Sequence, residues 1–319
     1  MSDNLLNENN EEKELQIADE IIKEVIEEKN PVEKANEEYL ELNKDLNYER
    51  FDSVSRFTHV LIIVSFLSLA ITGMIIKFSG VYAFQVLSKF LGGYEVTGFI
   101  HRAAAIVTFI YFALHITYLF RKKKHLKITF KDMIFGKYSL VPRKIDAIQF
   151  WQTIKWFLGL GPRPEYGRWT YWEKFDYFAV FWGVTIIGSS GLLLWFPEFF
   201  TNLGVPGSLI NIATIIHSDE ALLAAGFIFT IHFYNTHFRP DKFPIDTVIF
   251  TGTVDIEELK YDRPAEYKEF IQSENIKQHL KPKPTKFLVR LSKIFGFTAL
   301  IIGMSIIITI IYSMLFLYQ

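Results

Sequence analysis

Four histidines in this 319-residue chain are spaced so that their imidazole rings could bind metal ions or redox cofactors. His101 and His115 form one pair, and His217 and His232 form a second pair whose spacing is one position longer. At about 100° and 1.5 Å per residue, each pair lies on one side of a helix, with its members about 21–22 Å apart along the axis. Both pairs lie in strongly apolar stretches, where titratable side chains are costly. We therefore expect a function for them.

Five apolar segments are long enough to cross a bilayer, which requires about 20 residues. Numbered here as spans one to five, they are predicted at 57–77, 97–120, 175–196, 212–235 and 296–317. The histidine pairs lie in spans two and four. The sequence predicts an all-α integral membrane protein, with spans one to four in a bundle and span five as an additional C-terminal helix.

The distribution of basic residues predicts the orientation of the spans. Loop 121–174 carries 13 Lys or Arg residues against 4 acids, whereas loop 197–211 has no Lys or Arg. Because cytoplasmic loops are enriched in Lys and Arg, segments 1–56, 121–174 and 236–295 are predicted to be cytoplasmic. The acidic N-terminus does not resemble a signal peptide. We expect a multi-pass protein of the bacterial inner (cytoplasmic) membrane with a cytoplasmic N-terminus.

Four domains follow from these boundaries. They are an acidic cytoplasmic tail (1–50), a four-helix transmembrane domain with a basic cytoplasmic loop (51–250), a cytoplasmic linker (251–295) and the fifth transmembrane helix (296–319). Within the tail, 11–29 has helical apolar spacing and is interpreted as a solvated acidic helix or a docking arm. Within the basic loop, 146–158 predicts an amphipathic helix on the inner leaflet. Its apolar face comprises Ile148, Trp151, Ile154 and Leu158.

Composition excludes several kinds of site. The chain has no cysteine, so it cannot form disulfides, zinc–thiolate sites, iron–sulfur clusters or c-type haem attachments. It has no glycine-rich nucleotide-binding motif and no nucleic-acid-binding signature. Redox or metal chemistry in this chain therefore depends on the histidines.

The direction of the spans places the four histidines at two depths. Spans two and four both run from outside to inside, so His101 and His217 share an outer level, and His115 and His232 share an inner level. Two stacked haems in a helix bundle require this arrangement, because each iron takes an axial imidazole from either side. The sequence thus predicts two haem b groups per chain.

A fifth histidine leaves the inner level open. His59, at the inner edge of span one, competes with His115 as the partner of His232. His237 lies about 140° round the helix from His232, which favours an interfacial or propionate-contacting role. The remaining two histidines are interpreted as surface groups, His125 and His279.

Four segments within residues 50–260 resemble a known family. They are RFTHVLIIVSFLSLAITG, GFIHRAAAIVTFIYFALH, GLGPRPEYGRWTYWEKFDYFAVFWG and IIHSDEALLAAGFIFTIHFYNTHFRPDKFPID. These segments are similar to the di-haem cytochrome b subunits of formate dehydrogenases, nickel–iron hydrogenases and thiosulfate reductases, and more closely to cytochrome b/b6-domain proteins associated with multihaem cytochromes c.

The formate-dehydrogenase type implies outer ligands at His101 and His217, inner ligands at His59 and His232, and a menaquinone site beside the inner haem. Two features depart from it. His115 has no counterpart there, so the choice between His59 and His115 stays open. The two histidines of span four are one position further apart than in that type, which implies an adjusted helical turn.

Two adjacent acids, Asp219 and Glu220, follow His217 after Ser218. Glu220 shares a helix face with His217, since it is three residues further on. Arg102, at the same depth, is its predicted partner. The pair would fix the charges around the outer haem, or Glu220 would handle protons or contact an external redox protein.

These features predict a cytochrome that moves electrons between the quinone pool (menaquinone or ubiquinone) and a partner. The partner would be a multihaem cytochrome c or a dehydrogenase/iron–sulfur subunit, and the chain would contact membrane lipid but not nucleic acid. One alternative, a transporter or proton channel using intramembrane His, Asp and Glu, lacks the expected inverted repeat and broken helices. A non-haem iron enzyme would cluster its histidines at one depth, and a haem-free anchor subunit would bind no cofactor.

Overall fold

The computed structural model describes residues 30–316, so the predicted helical segment 11–29 lies outside the described part. The chain is mostly helical, and five of its helices are long and apolar enough to cross a membrane. The strands in the described part are short and lie outside these helices. The prediction of an all-α multi-pass membrane protein is confirmed at this level.

The five spans begin earlier than their hydropathy indicates. Their helices are Ser53–Lys77, Tyr94–Leu126, Tyr171–Trp195, Gly207–Phe227 with its π-helical continuation, and Lys286–Phe316. Polar caps define two of these starts. At the start of span one, the Asp52 carboxylate accepts a hydrogen bond from the Ser55 backbone amide. At the start of span three, Thr170 forms a capping box with Glu173. Capping groups are polar, so a hydropathy window places the helix start after them.

Span four changes its winding in its inner half. The α-helix Gly207–Phe227 continues as two π-helices, Ile228–His232 and Tyr234–Phe238. A π-turn bonds residue i to i+5, so it takes up an extra residue, and such turns are frequent at functional sites. The interval between His217 and His232 therefore ends in a π-helical segment that departs from regular α-helical winding.

The spans pack in two pairs, one with two and three with four. Span five packs against span one and against the π-helical part of span four. At Gly303 of span five, a Cβ atom would lie 2.6 Å from the Phe229 ring and 2.8 Å from the Phe233 ring. Glycine thus allows span five to support the segment that carries His232.

An amphipathic helix, Lys144–Phe157, matches the predicted 146–158 segment. Ile148 and Trp151 on this helix and Leu158 directly after it are exposed, whereas Ile154, the fourth residue of the predicted apolar face, is partly buried. On its buried side, Asp146 binds the Lys174 ammonium of span three with 2.8 and 2.9 Å contacts. The ion pair attaches this helix to the start of span three.

The compact unit that contains the five spans also includes shorter elements. These are the helices Tyr82–Leu91, Phe130–Phe135, Pro197–Asn202 and Val248–Thr251, followed by strand Thr253–Val254. This unit is called the membrane unit.

Residues 30–48 and 255–283 belong to a second compact unit. Strand Leu46–Glu49 pairs antiparallel with strand Leu280–Pro282. The Asn36 amide donates to the Ile271 and Ser273 carbonyl oxygens, at 2.8 and 2.9 Å. The tail and the linker are predicted from the sequence as separate segments. In the structure, their described parts belong to one compact unit. The helices of this unit are Pro31–Leu42, Ile256–Asp262, Pro264–Ile271 and the 3₁₀-helix Ile276–His279.

Candidate functional site

The outer level brings together one histidine from span two and one from span four. The ring centres of His101 and His217 are 6.1 Å apart, and the ring planes meet at 73°. A metal–imidazole bond is about 2 Å long in zinc sites, so two imidazoles on opposite sides of one metal ion have ring centres about 6 Å apart. The distance between the two ring centres is therefore of the size expected for two imidazoles that bind one metal ion from opposite sides.

Hydrogen bonds at Nδ1 define which nitrogen of each ring is available. Nδ1 of His217 lies 2.9 Å from the Ile187 carbonyl oxygen, which can only accept, so Nδ1 carries the proton. Nδ1 of His101 lies 2.9 Å from the Thr72 hydroxyl. That hydroxyl donates its own proton to the Ser68 carbonyl oxygen at 2.6 Å, so it accepts from His101. Both neutral rings thus carry their lone pair on Nε2, the state in which imidazole binds metals.

Glycines bring both outer rings close to a neighbouring helix. A Cβ atom at Gly191 of span three would lie 3.0 Å from Cε1 of His217, and one at Gly73 of span one would lie 3.5 Å from Cε1 of His101. The first contact is tighter than most Cβ contacts, so a side chain at position 191 would require the His217 ring to shift. Gly191 thus leaves space for the His217 ring, whose Nδ1 faces the Ile187 carbonyl oxygen.

At the inner level, His232 is held by an acid from span three. Its Nδ1 lies 2.9 Å from Oδ2 of Asp176, and the two side chains are only 21% and 15% exposed. A carboxylate accepts the Nδ1 proton, which again leaves the lone pair on Nε2. Asp176 is not among the site residues predicted from the sequence. An acid inside an apolar span is a signal of function, but Asp176 lies at the edge of the predicted span, where charged residues are common.

His59 and His237 lie close to His232, near enough for electrostatic interaction. His59 comes from span one, and its ring centre is 6.3 Å from that of Phe250. Within the described residues, Nδ1 of His59 is buried without a hydrogen-bond partner. The inner level therefore contains three histidines, two of them from the π-helical part of span four.

His115 belongs to a different group of side chains. Its Nε2 lies 2.8 Å from the hydroxyl of Tyr177 in span three. Its ring also packs near Phe181 and Tyr118, with ring centres 6.1 and 6.5 Å away. The structure thus groups His59, and not His115, with the other inner histidines. The choice of ligand stays a prediction, for which His59 is the better placed.

A hydrogen bond connects Tyr118 to the start of span one. The Tyr118 hydroxyl donates to Oδ2 of Asp52 at 2.7 Å, and the Ser55 amide donates to Oδ1 at 2.7 Å. Burial raises the pKa of Asp52, but these two hydrogen bonds and Lys122 outweigh it, so the pKa lies below its ordinary value. Asp52 is therefore ionised at neutral pH, which strengthens its contacts with spans one and two.

The acids beside His217 contact neighbouring spans. Asp219 pairs with Lys77 of span one at 3.3 Å, and its neighbour Ser218 accepts from the same ammonium at 2.9 Å. Glu220 accepts a hydrogen bond from the Trp182 indole of span three at 3.3 Å. The structure therefore gives Glu220 a different partner from the predicted Arg102. Both acids connect span four to the spans next to it.

Within residues 30–316, no group of three or more His, Asp or Glu side chains is arranged to hold a metal ion. A bare metal ion in a protein usually needs three or four such ligands. A haem needs only one or two, because its porphyrin supplies the other nitrogens.

Comparison with known proteins assigns no family. No protein-family model matches this chain, and no curated protein matches it. The resemblance described for residues 50–260 therefore remains an expectation. The function is therefore inferred from the distances between the histidine rings and from their hydrogen bonds.

Proposed function

We propose that this chain is a di-haem b-type membrane cytochrome that moves electrons between the quinone pool and a partner redox protein. The observation that carries the proposal is the outer pair. His101 and His217 come from different spans, their ring centres are 6.1 Å apart, and both rings use Nδ1 for hydrogen bonds. Ordinary packing would not require this combination of distance and tautomer.

The residues divide into ligands and their supports. His101 and His217 would hold an outer haem, and His232 with His59 would hold an inner haem. When bound, haem supplies reversible one-electron chemistry at each level. Thr72 and the Ile187 carbonyl orient the two outer rings, because they accept the Nδ1 protons.

His115 and Tyr177 are the candidates for the quinone site. Quinone carbonyl oxygens accept hydrogen bonds. Nε2 of His115 and the Tyr177 hydroxyl lie 2.8 Å apart and hydrogen-bond to each other, which leaves the pair one further N–H or O–H to donate to a quinone oxygen. Phe181 and Tyr118 surround them with aromatic rings, which suit a flat apolar head group. His115 is itself only partly buried.

A partner has to complete the circuit, because electrons leave or enter at the outer level. It would be a multihaem cytochrome c or an outer-facing dehydrogenase/iron–sulfur subunit. The bacterial inner membrane, with the N-terminus in the cytoplasm, follows from the charge of loop 121–174 and is part of the proposal.

Haem stoichiometry tests the proposal. Protein purified in mild detergent is expected to contain two non-covalent haems per chain, measured by pyridine haemochrome absorbance and quantitative amino-acid analysis. The reduced-minus-oxidised spectrum should show low-spin b-type bands. A ratio near zero in protein made with ample haem would end the cytochrome proposal, and a ratio near one would leave one level without haem.

Three alanine variants identify the inner ligands. His232→Ala and His59→Ala are each expected to lose the inner haem or convert it to high spin, because each removes one axial nitrogen. His115→Ala should keep two low-spin haems and mainly lower quinone-dependent turnover. The measurements are haem content, the optical spectrum and turnover with a soluble quinol.

Tyr177→Phe is the matched variant for His115→Ala, since it removes only the hydroxyl that His115 contacts. It should lower quinol turnover with no change in either haem. Loss of haem from His115→Ala but not from His59→Ala would reverse the ligand assignment. Retention of two low-spin haems by both would remove both residues from the site.

A further inference from the structure

The Nδ1 partners of the candidate ligands differ between the two levels. At the outer level they are neutral oxygens, a hydroxyl on Thr72 and the Ile187 carbonyl. At the inner level the partner of His232 is the carboxyl group of Asp176, at 2.9 Å. The difference concerns charge as well as hydrogen bonding, because only the inner partner can carry a full negative charge.

Asp176 is poorly explained as a structural residue. Its side chain is 15% exposed, and its second oxygen, Oδ1, is buried with no hydrogen-bond partner in the described part of the chain. A buried acceptor without a partner costs about 1–3 kcal/mol. An amide or a small apolar residue would avoid part of this cost. The cost is understandable if the carboxylate acts on His232.

The backbone at His232 makes an external support useful. His232 ends the π-helix Ile228–His232, which replaces regular α-helical bonding. Asp176 lies on the regular helix of span three, so it offers a fixed acceptor to a ring on an irregular segment. Such second partners of metal-binding histidines set the tautomer, the ring orientation and the basicity of the ligand.

We propose that Asp176 is a positioning residue that holds His232 with Nε2 toward the inner haem, and that its charge makes the two haem sites electrically unequal. This inference rests on the proposed function. A carboxylate that is hydrogen-bonded to a haem ligand stabilises the more positive, oxidised iron. Asp176 therefore lowers the reduction potential of the inner haem, and the outer haem has no equivalent contact.

Potentiometric titration of purified Asp176→Asn protein tests this inference. The Asn amide oxygen can still accept the Nδ1 proton, so both haems should remain, and the inner potential should shift upward while the outer potential stays constant. Asp176→Ala removes the acceptor as well, and its inner-haem affinity should fall about 10- to 100-fold. Asp176→Glu should return the potential toward the wild-type value.

Asp219→Asn is the matched control, because it removes an acid that pairs with Lys77 and touches neither His232 nor His59. It should leave the inner potential unchanged. The outer haem serves as an internal reference for folding in the Asp176 variants. An unchanged inner potential in Asp176→Asn would overturn the effect of the Asp176 charge, and an unchanged inner-haem affinity in Asp176→Ala, or the loss of both haems together, would overturn the positioning role. Wild-type protein without haem would instead overturn the proposed function.

Discussion

Replacing His217 with alanine is expected to reduce the haem content from two to one per chain. The remaining haem should be the inner one, with its low-spin spectrum and potential intact. The reason is geometric, because His101 alone offers one axial nitrogen and no other described histidine lies beside the outer pair. His101→Ala should give the same loss. Haem-to-protein ratio and low-temperature spectra of the purified variants measure the effect.

His125→Ala is the matched control. His125 lies on the same helix as His101 but is exposed at its far end, and it contacts neither level. It should retain two haems with unchanged spectra. If His217→Ala also keeps two low-spin haems, the close approach of His101 and His217 is a packing contact, and the outer site has to be abandoned.

The positions of the spans could be predicted because they depend on a local property. A run of about 20 apolar residues without charge indicates a membrane helix wherever it occurs. The helix starts could not be predicted equally well. They depend on individual capping groups such as Asp52 and Thr170, which lie outside the apolar window. Span five likewise begins at Lys286 and not near 296, because its first turns are too polar for the window.

At the inner level, the sequence could not predict which histidines lie close to His232. Counting residues from the basic boundary places His115 at the depth of His232, but depth does not say which way a side chain faces in the bundle. His115 bonds to Tyr177 of span three, whereas His59 lies near His232. The π-helices add a local change of winding that a fixed rotation of about 100° per residue cannot represent.

Long-range pairing was also beyond the sequence pattern. Tyr48 pairs in register with Leu280, and its hydroxyl donates to Glu266 at 3.0 Å. Neither partner can be inferred from local periodicity, because spans one to four separate Tyr48 from both of them along the chain. For this reason the tail and the linker were described as two segments, although their described parts belong to one unit.

Replacing Lys174 with methionine is expected to destabilise the membrane unit by about 3–5 kcal/mol, which is the usual cost of leaving one charge of a buried ion pair unpaired. The Lys174 and Asp146 side chains are 2% and 7% exposed, and the ammonium contacts both carboxylate oxygens. Methionine keeps most of the volume, so the loss reflects charge and not a cavity. The midpoint of unfolding in detergent, followed by circular dichroism, measures the change.

Two further variants separate the charge effect from other causes. Lys155→Met removes an exposed lysine from the helix that carries Asp146 and should change stability little. The double variant Lys174→Met, Asp146→Leu should recover most of the loss, because no buried charge remains. A residual loss of about 1 kcal/mol is expected, since Asp146 also accepts the Arg143 amide at 2.6 Å as part of a helix cap. Equal destabilisation by the single and double variants would contradict the unpaired-charge explanation, because removing the Asp146 charge would then bring no recovery.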